Sequence, residues 1–418
     1  MKVVHISTYC DGGGAAQAAV RLNQAFNQNG IESNLLVLVP GKNPSSQVMV
    51  IPRQHSYEEF LYHVNNKIGS LLRKVGKPWG DFDLLLSGFS IKDHPLVQEA
   101  DVVYVQTVYK TLNYEGIREL LDLGKPVIWF MHDMFPITGG CHHSFDCKEY
   151  ERDCMSCQFT RSLCGHGLSS WQLRKKKHAW GKYQNFYGMS PSNWLTDCAK
   201  RSSLFHDKSC FVIPNSLDTN IFRPLDKDSV KKSLGLDANK KTILFSADVV
   251  NSPYKGFSYL KKALAKLSKD KYLALVFGQG GKQDLEGISM EATFLGRLTD
   301  QEALVKAYNA ADVFVIPSMA EAFGYVIIES MSCGVPCVGF NVGGIPDLIH
   351  TGETGYLANY KDVDDLAKGI EWMFADEERY QRMASGARSF VEEYCSYESV
   401  AAKHKQVLAK ILEETIRL

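Results

Sequence analysis

The run from Ala311 to Leu357 constrains the fold more than any other part of the chain. Ala311-Asp-Val-Phe-Val-Ile-Pro-Ser318 reads as a short buried strand that ends at a proline. Met319, Ala320 and Glu321 leave room only for a tight loop. From about Gly324 the pattern turns helical, and Gly334 supplies a carboxyl-terminal stop. A strand, a loop and a helix start make the geometry that collects anions at the carboxyl end of a parallel sheet. Phe323, Gly324 and Tyr325 would offer backbone N–H groups to a phosphate. Glu321 precedes the helix, and Glu329 lies about one and a half turns into it. Two carboxylates at different depths can hold two parts of one ligand, and carboxylates accept from paired hydroxyls, as sugars offer. The alternative is that Glu321 caps the helix and Glu329 is solvated.

The residues that follow narrow this. Cys333-Gly-Val-Pro-Cys-Val-Gly-Phe340 is another buried strand, Asn341-Val-Gly-Gly-Ile-Pro-Asp347 a second glycine loop opening a short helix, and Gly352 to Leu357 ends the unit. In register, this run resembles the donor-site region of retaining glycosyltransferases of the GT-B fold. It is most similar to glycosyltransferase family 4 of the bacterial polysaccharide-biosynthesis type, whose mark is two glutamates separated by seven residues. Glu321 and Glu329 have that spacing, and the flanking Pro-Ser and Gly-Gly-Ile-Pro-Asp match as well.

A chain of 418 residues exceeds one ordinary core and suggests two domains. Its 45% hydrophobic content suffices for both. The net charge of zero gives no global field favouring nucleic acid. The apolar runs, such as Val127–Met131, are too short to span a membrane. Met1 to Ser7 reads as a first strand and lacks the marks of a signal peptide. Eleven cysteines, several in expected core strands, suit a reducing cytoplasm.

At the amino terminus, a strand over 2–7, the loop Thr8 to Gly14, a helix from Ala15 to Asn29 and a strand near 34–39 form a βαβ opening. A dinucleotide fingerprint would need glycine where Gln17 stands, although Glu32 falls twenty residues after Gly12. Family 4 resembles this loop better, and the resemblance implies that Gly13 and Gly14 face the donor phosphates or the acceptor. A tight turn without a ligand is the alternative. Val102–Gln106 and Val127–His132 read as strands, and the resemblance places His132 against the transferred sugar; a core histidine is the other reading.

Cys141, Cys147, Cys154 and Cys157 are spaced C-x5-C-x6-C-x2-C, with Cys164 further on. Four thiolates so spaced can hold a tetrahedral structural zinc in a loop too irregular to hold itself; a disulfide or reduced thiols are the alternatives. No cofactor is expected for the chemistry itself. Two stretches, 57–75 with Lys67, Arg73, Lys74 and Lys77, and Trp171 to Tyr183 with Arg174–Lys177, read as basic amphipathic helices. They lie on an anionic membrane or show a solvated basic face. The lipid acceptors common in the family favour peripheral contact at the inner membrane face of a cytoplasmic protein.

Strands near 185–189 and 211–214 are expected to bracket the domain crossing; Ser190–Trp194 and Ile213–Asp218, with Phe222–Pro224, resemble the family's linker and second-domain entry. After the strand Thr242–Ala247 the family's Gly-Arg is absent, and Asp248 to Gly256 takes its place. Lys255 matches the family's pyrophosphate lysine; a solvent lysine is the alternative. Gly296-Arg297 resembles the edge of the base pocket. Helices are expected over 300–310, 362–374, 378–393 and 397–416.

The expected fold is α/β, of GT-B type: two doubly wound parallel-sheet (Rossmann-like) domains facing a cleft. Residues 1–208 with 396–418 form the acceptor-side domain and 209–395 the nucleotide-sugar domain. The resemblance implies transfer of a sugar from a nucleotide-diphosphate sugar to a saccharide or lipid-linked hydroxyl, with retention of configuration. His132 and Glu321 would be catalytic; Gly13, Gly14, Lys255, Phe323, Gly324 and Glu329 would bind the donor. A nucleotide-sugar epimerase on the same fold and a non-catalytic sugar-nucleotide binder stay open. A glycosidase needs opposed carboxylates, whereas Glu321 and Glu329 share one wall.

Overall fold

In the computed structural model of the chain, residues 1–42, 45–52, 63, 64, 67, 81–159 and 167–416 are described. The expected helix over 57–75 lies outside them, three positions apart, as does Cys164. The chain divides into two compact units, Met1–Ser216 with Val400–Leu418, and Leu217–Ser399.

The first unit is built on seven parallel strands: β1 (Lys2–Tyr9), β2 (Glu32–Val39), β3 (Val48–Val50), β4 (Val102–Val105), β5 (Val127–Phe130), β6 (Phe186–Ser190) and β7 (Cys210–Val212). Their order is β3-β2-β1-β4-β5-β6-β7. Val102–Val105 and Val127–Phe130 are buried at every position, as strands covered on both faces must be. One face carries Val3, Tyr104, Ile128 and Phe130 in a shared core, and the register puts Leu35 and Val37, packed against Ala19, on that same face.

The second unit holds six parallel strands: β8 (Lys241–Val249), β9 (Tyr272–Gln279), β10 (Ala292–Phe294), β11 (Val313–Ile316), β12 (Cys337–Phe340) and β13 (Gly355–Ala358), in the order β10-β9-β8-β11-β12-β13. Alternation along the strands feeds two cores. Leu244, Leu275, Phe314 and Ile316 enter one, while Ile243, Phe245, Val276 and Val315 enter the other. The sheet is therefore covered on both faces, which is the doubly wound arrangement.

In each unit the strand order reverses once next to the first strand: between β1 and β4, and between β8 and β11. Open α/β sheets bind ligands in the crevice outside the carboxyl ends of the strands at such a point.

Twelve α-helices have described bounds: α1 (Gly14–Gln28), α2 (Pro95–Glu99), α3 (Tyr114–Asp122), α4 (Gly167–Trp180), α5 (Asn193–Arg201), α6 (Lys227–Ser233), α7 (Phe257–Leu264), α8 (Gln301–Asn309), α9 (Tyr325–Ser332), α10 (Val363–Phe374), α11 (Glu377–Tyr394) and α12 (Tyr397–Ile416). The last begins in the second unit. From Val400 it belongs to the first, where Val400, Ala401, Leu408 and Ile411 join the core around Phe26 and Tyr104.

Two readings of the sequence need correction here. Ser190–Trp194 is no linker: Ser192 accepts from the Leu195 N–H and caps α5 within the first unit. The strand at 210–212 pairs with β6, so it completes the first sheet and moves the boundary from 208/209 to Ser216/Leu217. At the other end the boundary falls at Ser399/Val400 rather than 395/396, because Leu217 bridges Ser396 and its N–H bonds Cys395 O.

Candidate active site

Among the described residues seven α-helices start with a polar side chain accepting from the first turn: His94, Asn113, Ser192, Asp226, Asp300, Asp362 and Asp376 are their caps. Three start at a glycine with no capping side chain and no acidic residue in the first turn: α1 at Gly13, α7 at Gly256 and α9 at Gly324. These three follow β1, β8 and β11, the strands beside the two switch points. Each presents a positive helix end undimmed by a carboxylate or hydroxyl cap.

In the second unit the loops after β8 and β11 meet. Pro253–Lys255 forms a 3-10 turn, and Gly256 follows at φ 73°. A Cβ at Gly256 would stand 1.8 Å from Pro317 O, so only glycine lets this loop lie against the end of β11. The Met319 N–H donates to Tyr254 O at 2.7 Å, fastening the two loops. There Lys255 Nζ meets Glu321 Oε2 at 2.7 Å, with both side chains mostly buried. Burial works against the lysine's charge, but Glu321, then Tyr254 and Asp248, outweigh it and raise its pKa. The ammonium is therefore held charged beside the uncapped starts of α7 and α9.

Glu321 is fixed through its backbone. The Gly344 N–H donates to Glu321 O at 2.8 Å, and a Cβ at Gly343 would be 2.2 Å from that oxygen. The second glycine loop thus exists to approach Glu321. Phe323 is buried in the core, so its contribution to a ligand is limited to its backbone. Gly324 takes φ 102° at the cap of α9. Glu329 is 8% exposed and its Oε2 accepts from Tyr308 OH at 2.7 Å. Tyr308 was missed in the sequence: it stands on α8 among ordinary apolar neighbours, with no spacing that links it to Glu329.

Arg297 follows the left-handed Gly296 and its guanidinium lies 3.4 Å from Asp248 Oδ1. Asp248, next to the last residue of β8, is close enough to Lys255 to raise its pKa. An arginine therefore stands at the end of β8, where the family's Gly-Arg is missing, although it comes from fifty residues later in the chain.

In the first unit, Gly12 and Gly13 both take φ 75°, and Gly14 opens α1. A Cβ on any of the three would meet nothing within 4 Å. The loop is open to a ligand, and glycine is demanded by backbone conformation rather than crowding. His132 follows β5 and is partly exposed. Its Nε2 lies 2.6 Å from Gln106 Oε1, and Gln106 Nε2 lies 3.0 Å from His5 Nδ1. With the Gln106 oxygen accepting, His132 carries its proton on Nε2 and keeps a lone pair on Nδ1. Burial lowers its pKa to about 4 against the opposing pull of Asp133, so the ring is neutral at pH 7.

The basic stretch Arg174–Lys177 departs from the expectation of an exposed cluster. Arg174, Lys175 and Lys177 are exposed, but Lys176 is wholly buried, donating to Phe135 O and, at 2.9 Å, to Thr138 O. Among the described residues no helix is long and apolar enough to cross a membrane.

Comparison with known proteins agrees with this geometry. Residues 226–390 match the family described as Glycosyl transferases group 1. The chain is 28% identical over 217 residues to N-acetyl-alpha-D-glucosaminyl L-malate synthase of Bacillus anthracis, covering 50% of this chain and 55% of that protein. It is 34% identical over 171 residues to D-inositol 3-phosphate glycosyltransferase of Mycobacterium sp. (strain KMS), covering 38% of each. The matches thus span about half the length of these curated relatives, or less. Among solved structures it is similar to Anabaena HepE in complex with UDP and glucose, with a TM-score of 0.68 at 18% identity, covering 98% of this chain and 99% of that one. The fold is GT-B, and its second unit carries the part that matches the group 1 glycosyltransferases.

Proposed function

We propose that the protein is a retaining glycosyltransferase of family 4 that moves a hexosyl group from a nucleotide-diphosphate sugar to a hydroxyl acceptor in cell-surface polysaccharide biosynthesis. The observation that carries the reading is the meeting of Lys255, Glu321 and two uncapped helix starts at the β8/β11 switch point. Negative charge grows on the leaving diphosphate during transfer. A charged lysine and oriented N–H dipoles placed beforehand stabilise it without reorganising. Glu329, deeper along α9, is assigned to the ribose, and Glu321 to hydroxyls of the donor sugar. Arg297 is assigned the phosphate or base contact that the missing arginine leaves open. His132 is assigned to the sugar, with its Nδ1 lone pair as the acceptor.

HepE, of the same fold, was solved with UDP and glucose, and the two relatives above are named for glycosyl transfer and for a glucosaminyl product. These names support a nucleotide-sugar donor and a hydroxyl acceptor. The polysaccharide setting and the retaining outcome rest on the sequence resemblance. The test is to incubate purified protein with a panel of nucleotide sugars and hydroxyl acceptors, and to read the anomeric configuration of the first product by NMR. Retention of the donor's configuration supports the reading, and an inverted product overturns it.

A further inference from the structure

The segment between β5 and α4 is long, and its described residues hold little regular structure. Between Ser144 and Phe159 the described residues form one 3-10 turn, Glu149–Glu151, and no strand pairing. Its beginning is well held. His142 bridges Asp133 at 2.8 Å and Asp83 at 3.1 Å, and Phe82 pairs with Cys141 in an isolated bridge. Gln172 clamps Leu85, Asp83 and Gly139 through both ends of its amide. Further along, Glu151 pairs with Arg201 at 3.2 Å and Tyr150 O accepts from the Ser203 N–H, and the far end folds back so that Cys154 and Cys157 are buried.

The four cysteines meet there. Cys141, Cys147, Cys154 and Cys157 all line one cavity of about 20 Å³, and each lies within electrostatic range of the other three. Phe82, Leu84 and Phe159 pack with Cys141 and Cys157 in one apolar cluster. None of the four is in a disulfide. The volume admits one ion or one water, but apolar walls and thiols give a water few partners. It is too small for a multi-iron cluster.

A buried lysine stands alongside. Lys176 Nζ, held by Phe135 O and Thr138 O, is within electrostatic range of Cys141 and Cys154. Burial lowers its pKa to about 7, and four thiolates around a divalent ion, with a net charge of about −2, favour its charged form.

We propose that Cys141, Cys147, Cys154 and Cys157 bind one structural zinc ion that pins this lobe to the end of β5. Binding exchanges four S–H protons for four Zn–S bonds, with the protons released to solvent. Among the described residues no three His, Cys, Asp or Glu side chains are already arranged to hold an ion. Closure therefore draws the thiols into the cavity they share. With four protein ligands no position stays open, so the ion is structural and takes no part in transfer.

The test uses the full-length wild-type protein. Metal analysis is expected to find about one zinc per chain. Cobalt exchanged for it should give the charge-transfer and d–d absorption of tetrahedral thiolate coordination. All four thiols should resist alkylation until a chelator removes the metal. Cys147→Ser should lose most of the zinc, while Cys10→Ser, outside the cluster, keeps it. Native protein with no zinc and four freely alkylated thiols overturns the proposal. So do disulfides among the four, iron in place of zinc, or zinc content indifferent to Cys147→Ser. The cobalt spectrum of the wild type decides the matter even if the serine variant fails to fold.

Discussion

Glu329 shows how much one residue's surroundings change its reading. From spacing alone it is the second glutamate of a pair, free to be solvated. In the structure it is buried, with Tyr308 OH donating to one of its oxygens. Glu329→Ala is expected to weaken nucleotide binding by about 2–3 kcal/mol, the cost of hydrogen bonds to a charged group. Calorimetry showing unchanged affinity would remove it from the donor site. His132→Ala should behave differently: nucleotide affinity within a few-fold of wild type, and turnover lower by ~10²-fold or more if the ring serves the reacting sugar. Near-normal turnover would take the histidine out of the reaction, and lost nucleotide binding would mean that it supports the fold. The positions of Glu321 and Gly324 at a strand end were legible from local spacing, and those of Lys255 and Arg297 from the family resemblance. Tyr308 beside Glu329 and the burial of Lys176 were not. Tyr308 is joined to Glu329 only by the sheet's crossovers. A lysine inside a basic run carries no local sign that it points inward.

At the scale of the element, α4 and α12 carry the clearest consequences. Replacing Arg174, Lys175 and Lys177 with glutamate, sparing the buried Lys176, tests membrane contact without attacking the core. If α4 docks on anionic lipid at ~1 kcal/mol per basic residue, the triple variant should lose binding to anionic vesicles by ~10²-fold or more. Sedimentation unchanged in the triple variant would leave α4 a solvated face. Lys176→Glu, by contrast, places a carboxylate against two carbonyl oxygens and should unfold the first unit.

His404 on α12 bonds Tyr104 OH at 2.9 Å, close to His5 on β1. Burial lowers both pKa values, that of His5 to about 3, and each histidine's charge lowers them further through His132 or His5. A depressed histidine takes up its proton in the unfolded chain near pH 6.5 but not in the folded one. Its stability is therefore complete above that value and falls as pH drops. Each such residue adds a slope of up to ~1.4 kcal/mol per pH unit. Denaturation between pH 7 and 5 should show a shallower loss in His404→Gln than in wild type. Equal slopes would mean that the ring is charged in the folded state. The strands and most helices were legible because their periods and buried runs are strong. The strand Gly355–Ala358 was missed because it was read as the end of a unit, and α5 because Ser-Pro-Ser-Asn looks like a linker although its second serine is a cap.

At the scale of the whole molecule, two parallel sheets were readable from length and alternating strands and helices, but the boundary was not. Sheet membership of Cys210–Val212 is a long-range pairing, invisible in a three-residue strand. The central claim is that the second unit's switch point prepares a nucleotide-diphosphate sugar for transfer rather than for isomerisation or storage. The most direct measurement follows nucleoside diphosphate release and the fate of the sugar, with and without a hydroxyl acceptor, in wild type and Lys255→Ala. The account predicts release that depends on the acceptor, sugar recovered on that acceptor, and a loss of ~10²-fold or more when the lysine is removed. Epimerised or free sugar formed equally well without any acceptor, or full activity in Lys255→Ala, would contradict it.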